Sequence, residues 1–359
     1  MKTSLIKIYL LLFLPAVFLA NACNEPLQQL TDAEAISFAK EMETSIKKTD
    51  GEFLDNSIDR PAFIKKMKLP ETSDAKNFGT GIFKKLQLGN KISNSLTDQD
   101  EFKFIKHYVK EGKHHAIFRL YGNKESTLNY HDYELIKVNN ESRIADVYIY
   151  MSGEPLSETM GNLYKDLYDE ARDRKKEASE MADIGRVRTL LQKGKNAEAK
   201  KLYDALPAYL KKNKAVLLMD ILICSDLSND EYNLAITNFQ EKFPNEPNMN
   251  LMMIDGYFLQ KEYGKMLDAI NALDAQIDKD PILDFYRYLS YNLLKDDANA
   301  KMYLTKLLKN MPDFQRGYQE LIVTELQNKN KAAADSLISI YRQKRKFNQE
   351  VLDDIISFY

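Results

Sequence analysis

Along the second half of the chain, apolar residues recur at intervals of three and four, the period of a helix that buries one face. These amphipathic segments come in pairs. Five short stretches join them: 194–199, 230–235, 261–266, 295–300 and 329–334. They end on Ala199, Ala235, Met266, Ala300 and Ala334, spaced 36, 31, 34 and 34 residues apart. Four and seven residues further on stand Tyr203 and Leu206, Phe239 and Lys242, Ile270 and Leu273, Leu304 and Leu307, and Ile338 and Tyr341. A small residue followed at those intervals by large apolar ones predicts the inner face of a second helix packed closely on its partner. Pro247, Pro281 and Pro312 fall near the ends of second helices, where proline favours a break. Residues 347–359 read as a closing helix.

A period of roughly 34 residues built from helix-turn-helix units resembles the tetratricopeptide repeat. Gly256-Tyr257 is similar to its small-then-aromatic pairing in the first helix. The chain departs from the pattern at Lys242, at Met266 in place of alanine, and in having no tryptophan. For residues 181–359 the resemblance implies about five repeats and a closing helix, wound into a right-handed superhelix with a groove lined by the first helices. Laid on that pattern, the groove shows Arg188, Asp220, Leu251, Asp255, Phe258, Phe285, Asn292 and Arg316. It lacks the Lys/Asn cluster with which chaperone-binding relatives grip a C-terminal carboxylate. The ligand class implied is a peptide or protein segment. An array that only spaces or dimerises the chain is the alternative.

Residues 157–180 predict a connecting helix. Met160, Leu163, Tyr164, Leu167, Tyr168 and Ala171 form one apolar stripe, and Lys165 to Glu180 carries charges of both signs. That pattern reads as a helix packed on the first repeat with a solvated outer face, ahead of a coiled-coil partner surface.

Residues 29–156 start as helices and end as strands. Thr31 and Glu34 form a capping-box pattern ahead of Ala35, Phe38, Ala39, Met42 and Ile46. A second helix follows Arg60 and Pro61 and stops before Pro70. A third runs from about Ser73 to Leu86, weakened by Gly79 and Gly81. Strands are then predicted over 102–109, 115–121, 130–138 and 143–151, with Glu111-Gly112 and Asn139-Asn140-Glu141 as turns. Helices followed by an antiparallel meander give an α+β domain. The opening helix, the step at 49–55, the helix over 61–67 and the strand at 144–149 resemble the nuclear-transport-factor-2-like (SnoaL-like, cystatin-like) fold. The resemblance implies a curved sheet wrapped around helices as a cone. That fold hosts enzymes, binding pockets and dimerisation modules, so it selects no function.

The first residues read as an export signal. Lys2 and Lys7 flank an apolar run, residues 8–19, too short for a comfortable membrane span. Ala20-Asn21-Ala22 suits ordinary signal-peptidase cleavage after residue 22, leaving residues 23–28 as a linker. The run Leu19-Ala20-Asn21-Ala22-Cys23 also resembles a bacterial lipobox, although Ala20 and Asn21 are unusual in it. Lipidation of Cys23 and an outer-membrane location, facing the periplasm or the surface, are what that resemblance implies; ordinary cleavage instead implies a soluble periplasmic protein. Only Cys23 and Cys224 exist, and Cys224 sits in an apolar segment as a small buried hydrophobe. Cys23 is thereby left without a disulfide partner. The formal charge of −2 comes from 51 basic and 53 acidic residues, a balance that does not suggest a nucleic-acid partner.

Candidate chemistry is sparse. No Gly-rich phosphate loop, nucleophile elbow or paired-cysteine motif is present. The four histidines, His107, His114, His115 and His131, all lie among the strands. A two-residue turn at Glu111-Gly112 puts Val109 opposite His114 and His107 opposite Ala116. His107 and His114 then share a face, as weak candidates to hold a metal with a carboxylate such as Asp132 or Glu134, while His115 points away. Solvated strand histidines are the plainer reading. Tyr121, Tyr130, Tyr133, Tyr148 and Tyr150 crowd the sheet, either as strand formers with wet hydroxyls or as lining for a pocket or interface.

Together these readings predict an exported, lipid-anchored interaction scaffold of the bacterial cell envelope. Its array binds another envelope protein, with no cofactor and no catalytic residue assigned. The alternative is a small-ligand site or enzyme in the cone, which packing of Phe102, Phe104, Phe118 and Leu135 into its interior would fill.

Overall fold

Thr31 accepts a hydrogen bond from the Glu34 backbone and the Glu34 carboxylate accepts one from the Thr31 backbone, so the chain enters its first helix through a complete capping box. The computed structural model describes residues 29–97, 100–122, 127–167, 174–243, 249–345 and 347–359. The leader, Cys23, Tyr168, Ala171 and Pro247 lie outside them. Helices α1 (Asp32–Lys47), α2 (Glu52–Ser57), α3 (Arg60–Lys66), α4 (Ser73–Gly81), α5 (Phe83–Leu86) and α6 (Leu88–Ser95) precede the sheet. The predicted third helix is thus two, and α2 and α6 are additions. The starts of α2 and α6 cross at Gly51 and Gly89, where a Cβ on Gly89 would sit 2.1 Å from the Gly51 carbonyl oxygen.

The sheet is an antiparallel meander in sequence order: β1 (Glu101–Lys110), β2 (Lys113–Gly122), β3 (Thr127–Val138), β4 (Glu141–Ile149) and the short β5 (Glu154–Pro155). Both expected tight turns carry two residues at positive φ: Glu111 at 53° and Gly112 at 75°, Asn139 at 49° and Asn140 at 67°. Such turns match the twist of the flanking strands and pin the register. Val109 pairs with His114 and His107 with Ala116, as the turn demands.

The two faces of the sheet bury different things. Ala116 and Phe118 turn to α1, α2, α3 and α7 (Leu156–Leu167), in a core with Phe38, Met42, Leu54, Phe63 and Met160. Phe102 stacks on Phe118 at 4.6 Å, and Leu135 packs in the same cluster. Those side chains therefore fill the interior that the alternative reading needed empty. On the opposite face, Ile117, Tyr121, Tyr130 and Tyr150 share a core with helices of the second half.

That half comprises α8 (Arg174–Gln192), α9 (Asn196–Asp204), α10 (Lys214–Cys224), α11 (Asn229–Lys242), α12 (Met249–Leu259), α13 (Tyr263–Ile277), α14 (Leu283–Leu293), α15 (Asp297–Asn310), α16 (Gln315–Gln327), α17 (Lys331–Tyr341) and α18 (Gln349–Phe358). Consecutive helices pack in pairs, α8 with α9 through α16 with α17. Ala199, Ala235, Met266, Ala300 and Ala334 are buried, as are the large residues expected on the inner faces, while Lys242 is exposed. Four of the five joining stretches share one turn. Gly194, Lys261, Lys295 and Lys329 have φ of 67°, 59°, 64° and 56°. In each, the following amide reaches back to Leu190, Tyr257, Tyr291 or Glu325 at 2.8–2.9 Å. This is the Schellman closure, which satisfies the last carbonyls of the first helix and sends the chain back along it. No helix among the described residues is long and apolar enough to cross a membrane.

Candidate functional site

Because the sheet lies against the array, a pocket opens where the two meet. The start of β3 supplies Leu128 and Asn129 and the end of β4 Ile149; α7 supplies Leu156, Thr159 and Met160. From the array come Arg188 and Leu191 of α8, Leu218 and Leu222 of α10, Tyr232 of α11, Leu251 and Asp255 of α12, and Tyr286 of α14. The cavity holds about 470 Å³, the size of many ligand sites, and its wall is mostly aliphatic.

Two charged groups break that wall. The Asp255 side chain is accessible from the cavity, yet the apolar surroundings push its carboxyl up to about 6. The same desolvation pulls the Arg188 guanidinium below its ordinary value. No ion pair joins them to each other or to another described residue. An apolar pocket lined by two opposite charges can bind an apolar group and orient it by its polar ends.

Three of the eight sequence candidates, Arg188, Leu251 and Asp255, come together here. The other five do not. Asp220 is buried, with Lys200 Nζ at 2.8 Å and the Cys224 Sγ at 3.6 Å. Phe285 is fully buried against Tyr286, Tyr288 and Phe314, and is therefore core. Arg316 lies over the Phe285 ring and beside Glu320. Phe258 and Asn292 are exposed away from the pocket. The physical reason is that helix phase does not say which neighbours close over a position: Lys200 closes Asp220, and Tyr286, Tyr288 and Phe314 close Phe285. Burial pushes the Cys224 thiol up to about 12, consistent with an inert core position.

The tyrosines divide. Tyr121, Tyr130 and Tyr150 pack on the array side, and Tyr130 donates to Asp280 at 3.0 Å, so the interface reading describes them. Tyr133 packs with the N-terminal helices.

The histidines divide too. His107 and His114 do share a face, with Nε2 and Nδ1 2.9 Å apart and rings stacked at 5.1 Å. Their neighbouring carboxylate is Asp32 of α1, neither Asp132 nor Glu134. Asp132 is held by Tyr108 and by His115 at 3.2 Å on the opposite face. Glu134 is paired with Lys66 at 2.8 Å and Lys113 at 3.4 Å. His131 is buried beside Tyr133 and Asn129. No family model matches the chain, and no curated protein matches it.

Proposed function

We propose that this protein is an exported, lipid-anchored adaptor of the cell envelope that receives a segment of another envelope protein in the junction pocket. The observation that carries the reading is the pocket itself, with aliphatic walls and with Arg188 and Asp255 making no ion pair among the described residues. Aliphatic walls hold an apolar anchor side chain, and the two charges select its orientation through flanking polar groups. The repeated helix pairs with one shared turn support a tetratricopeptide superhelix, and the helices followed by a meander support a nuclear-transport-factor-2-like domain. Lipidation at Cys23 would tether the chain to a membrane surface.

A pocket-filling variant tests this. Ala215 lines the pocket at the start of α10. Full-length protein immobilised in solubilised envelope is expected to recover a partner that Ala215→Trp recovers at about a tenth or less, a loss of 1.4 kcal/mol or more. Equal recovery by both proteins would contradict the reading. The cavity's volume also favours a second reading, a small apolar ligand held in the same place. A purified chain that carries such a molecule by native mass spectrometry and captures no protein would replace the first reading with the second.

A further inference from the structure

The hairpin of β1 and β2 does more than cover the N-terminal helices. Its tight turn sets His107 and His114 diagonally across the two strands, and both imidazoles are largely enclosed, with side-chain exposures of 8% and 14%. Asp32, the first residue of α1, meets them from outside the sheet and is 72% exposed. Its Oδ1 lies 3.6 Å from His114 Nδ1 and 3.9 Å from His107 Nε2, while the two nitrogens are 2.9 Å apart. The three atoms form a compact triangle on elements that are each fixed independently. The hairpin register fixes the imidazoles, and the capping box at Thr31 and Glu34 fixes the first turn of α1.

We propose that Asp32, His107 and His114 form a binding site for a divalent transition-metal ion of the zinc class, tying the start of α1 to the β1–β2 hairpin.

Ligand type and spacing both suit such an ion. Imidazole nitrogens with one carboxylate are a donor set for zinc and its neighbours. A tetrahedral ion with bonds of 2.0–2.2 Å places its ligand atoms about 3.3 Å apart. The observed separations bracket that value, so small side-chain rotations close the site. A hydrogen bond between the two rings occupies one proton and leaves Asp32 Oδ1 outside hydrogen-bonding distance of either nitrogen. An ion in the centre instead engages all three groups. Protein closes one side, and the exposed Asp32 side leaves a fourth position for water or a ligand from another molecule.

The test is a titration of the full-length protein, stripped with chelator, with Co(II) as a visible-absorbing probe and Zn(II) as competitor. One equivalent of Co(II) is expected to bind with a saturable visible band that Zn(II) abolishes. Asp32→Asn, at an exposed position that leaves both strands unaltered, is expected to weaken binding by about tenfold or more. His107→Gln is expected to remove the band. The chain has four histidines in all, so background binding is small. Absence of saturable binding in the wild-type protein would overturn the proposal. So would a Co(II) affinity unchanged in Asp32→Asn together with a band that survives in folded His107→Gln.

Discussion

Arg119→Ala is expected to cost about 3–5 kcal/mol of stability, because it leaves a buried carboxylate without its counterion. Arg119 points from β2 into the array side of the sheet, 4% exposed. One guanidinium nitrogen reaches Asp280, just before α14, and the other donates to Glu101 at 2.6 Å. Asp280 is 2% exposed and also accepts from Tyr130 at 3.0 Å and from the Ile282 amide at 3.1 Å. Burial works against the guanidinium charge, but Asp280 and Glu101 outweigh it and hold Arg119 above its ordinary value. The cluster is a buried polar contact between sheet and array. Urea denaturation of Arg119→Ala and of the double variant Arg119→Met with Asp280→Asn separates the terms. The double variant keeps an acceptor for Ile282 and removes both charges, so it is expected to recover most of the loss. A single-variant cost under about 1 kcal/mol, or simple additivity in the double variant, would show that the pair does not join the two parts.

Acid is expected to destabilise the protein through His131. Burial alone pulls this imidazole down to about 4 from its ordinary 6.5. Its Nδ1 lies 3.2 Å from the Tyr133 hydroxyl and its Nε2 3.4 Å from the Asn129 amide nitrogen, with no carboxylate among these partners. The folded state therefore prefers the neutral ring, and the unfolded state binds a proton first as pH falls. Stability from this group is complete above about pH 6.5 and is lost as pH falls from 6.5 to 4. At 1.36 kcal/mol per unit the full loss is about 3 kcal/mol. Asp255, pushed up to about 6, acts with the opposite sign, since its folded state favours the protonated form and loses stability as pH rises towards 6. Comparing wild type with His131→Gln across pH 7.5 to 4 cancels that contribution. The difference between the two is expected to shrink or reverse by about 3 kcal/mol in acid. Parallel pH profiles would contradict the assignment.

How much of this was legible in the chain depends on the range of the interaction. The hairpin register followed from Glu111 and Gly112, because a two-residue turn leaves the strands no freedom to slide. The buried second-helix residues followed from period and phase, which are local. Phe285 and Asp220 were misplaced because neighbours inside the array close over them. Tyr286, Tyr288 and Phe314 surround the first and Lys200 pairs with the second, and neither event leaves a trace in the repeat. Asp32 stands 75 residues before His107, and Arg119 stands 161 before Asp280. Such pairs have no sequence period. The one signal available for Asp280 was its place before Pro281, where a carboxylate can cap the next helix, and that signal carries no hint of a buried arginine. The junction pocket was half visible: Arg188, Leu251 and Asp255 fall on the first-helix face and Met160 on the connecting helix, but Leu128 and Ile149 belong to elements read as a separate domain.

The most direct test of the junction site is photo-crosslinking in living cells from a reactive amino acid placed at position 222. Leu222 lines the pocket and is 43% exposed; Leu234 is 71% exposed and lies outside it. A discrete adduct with one envelope protein from position 222, and none from position 234, is the predicted result. No adduct from 222, or the same adducts from both positions, would contradict the claim that this pocket receives a partner.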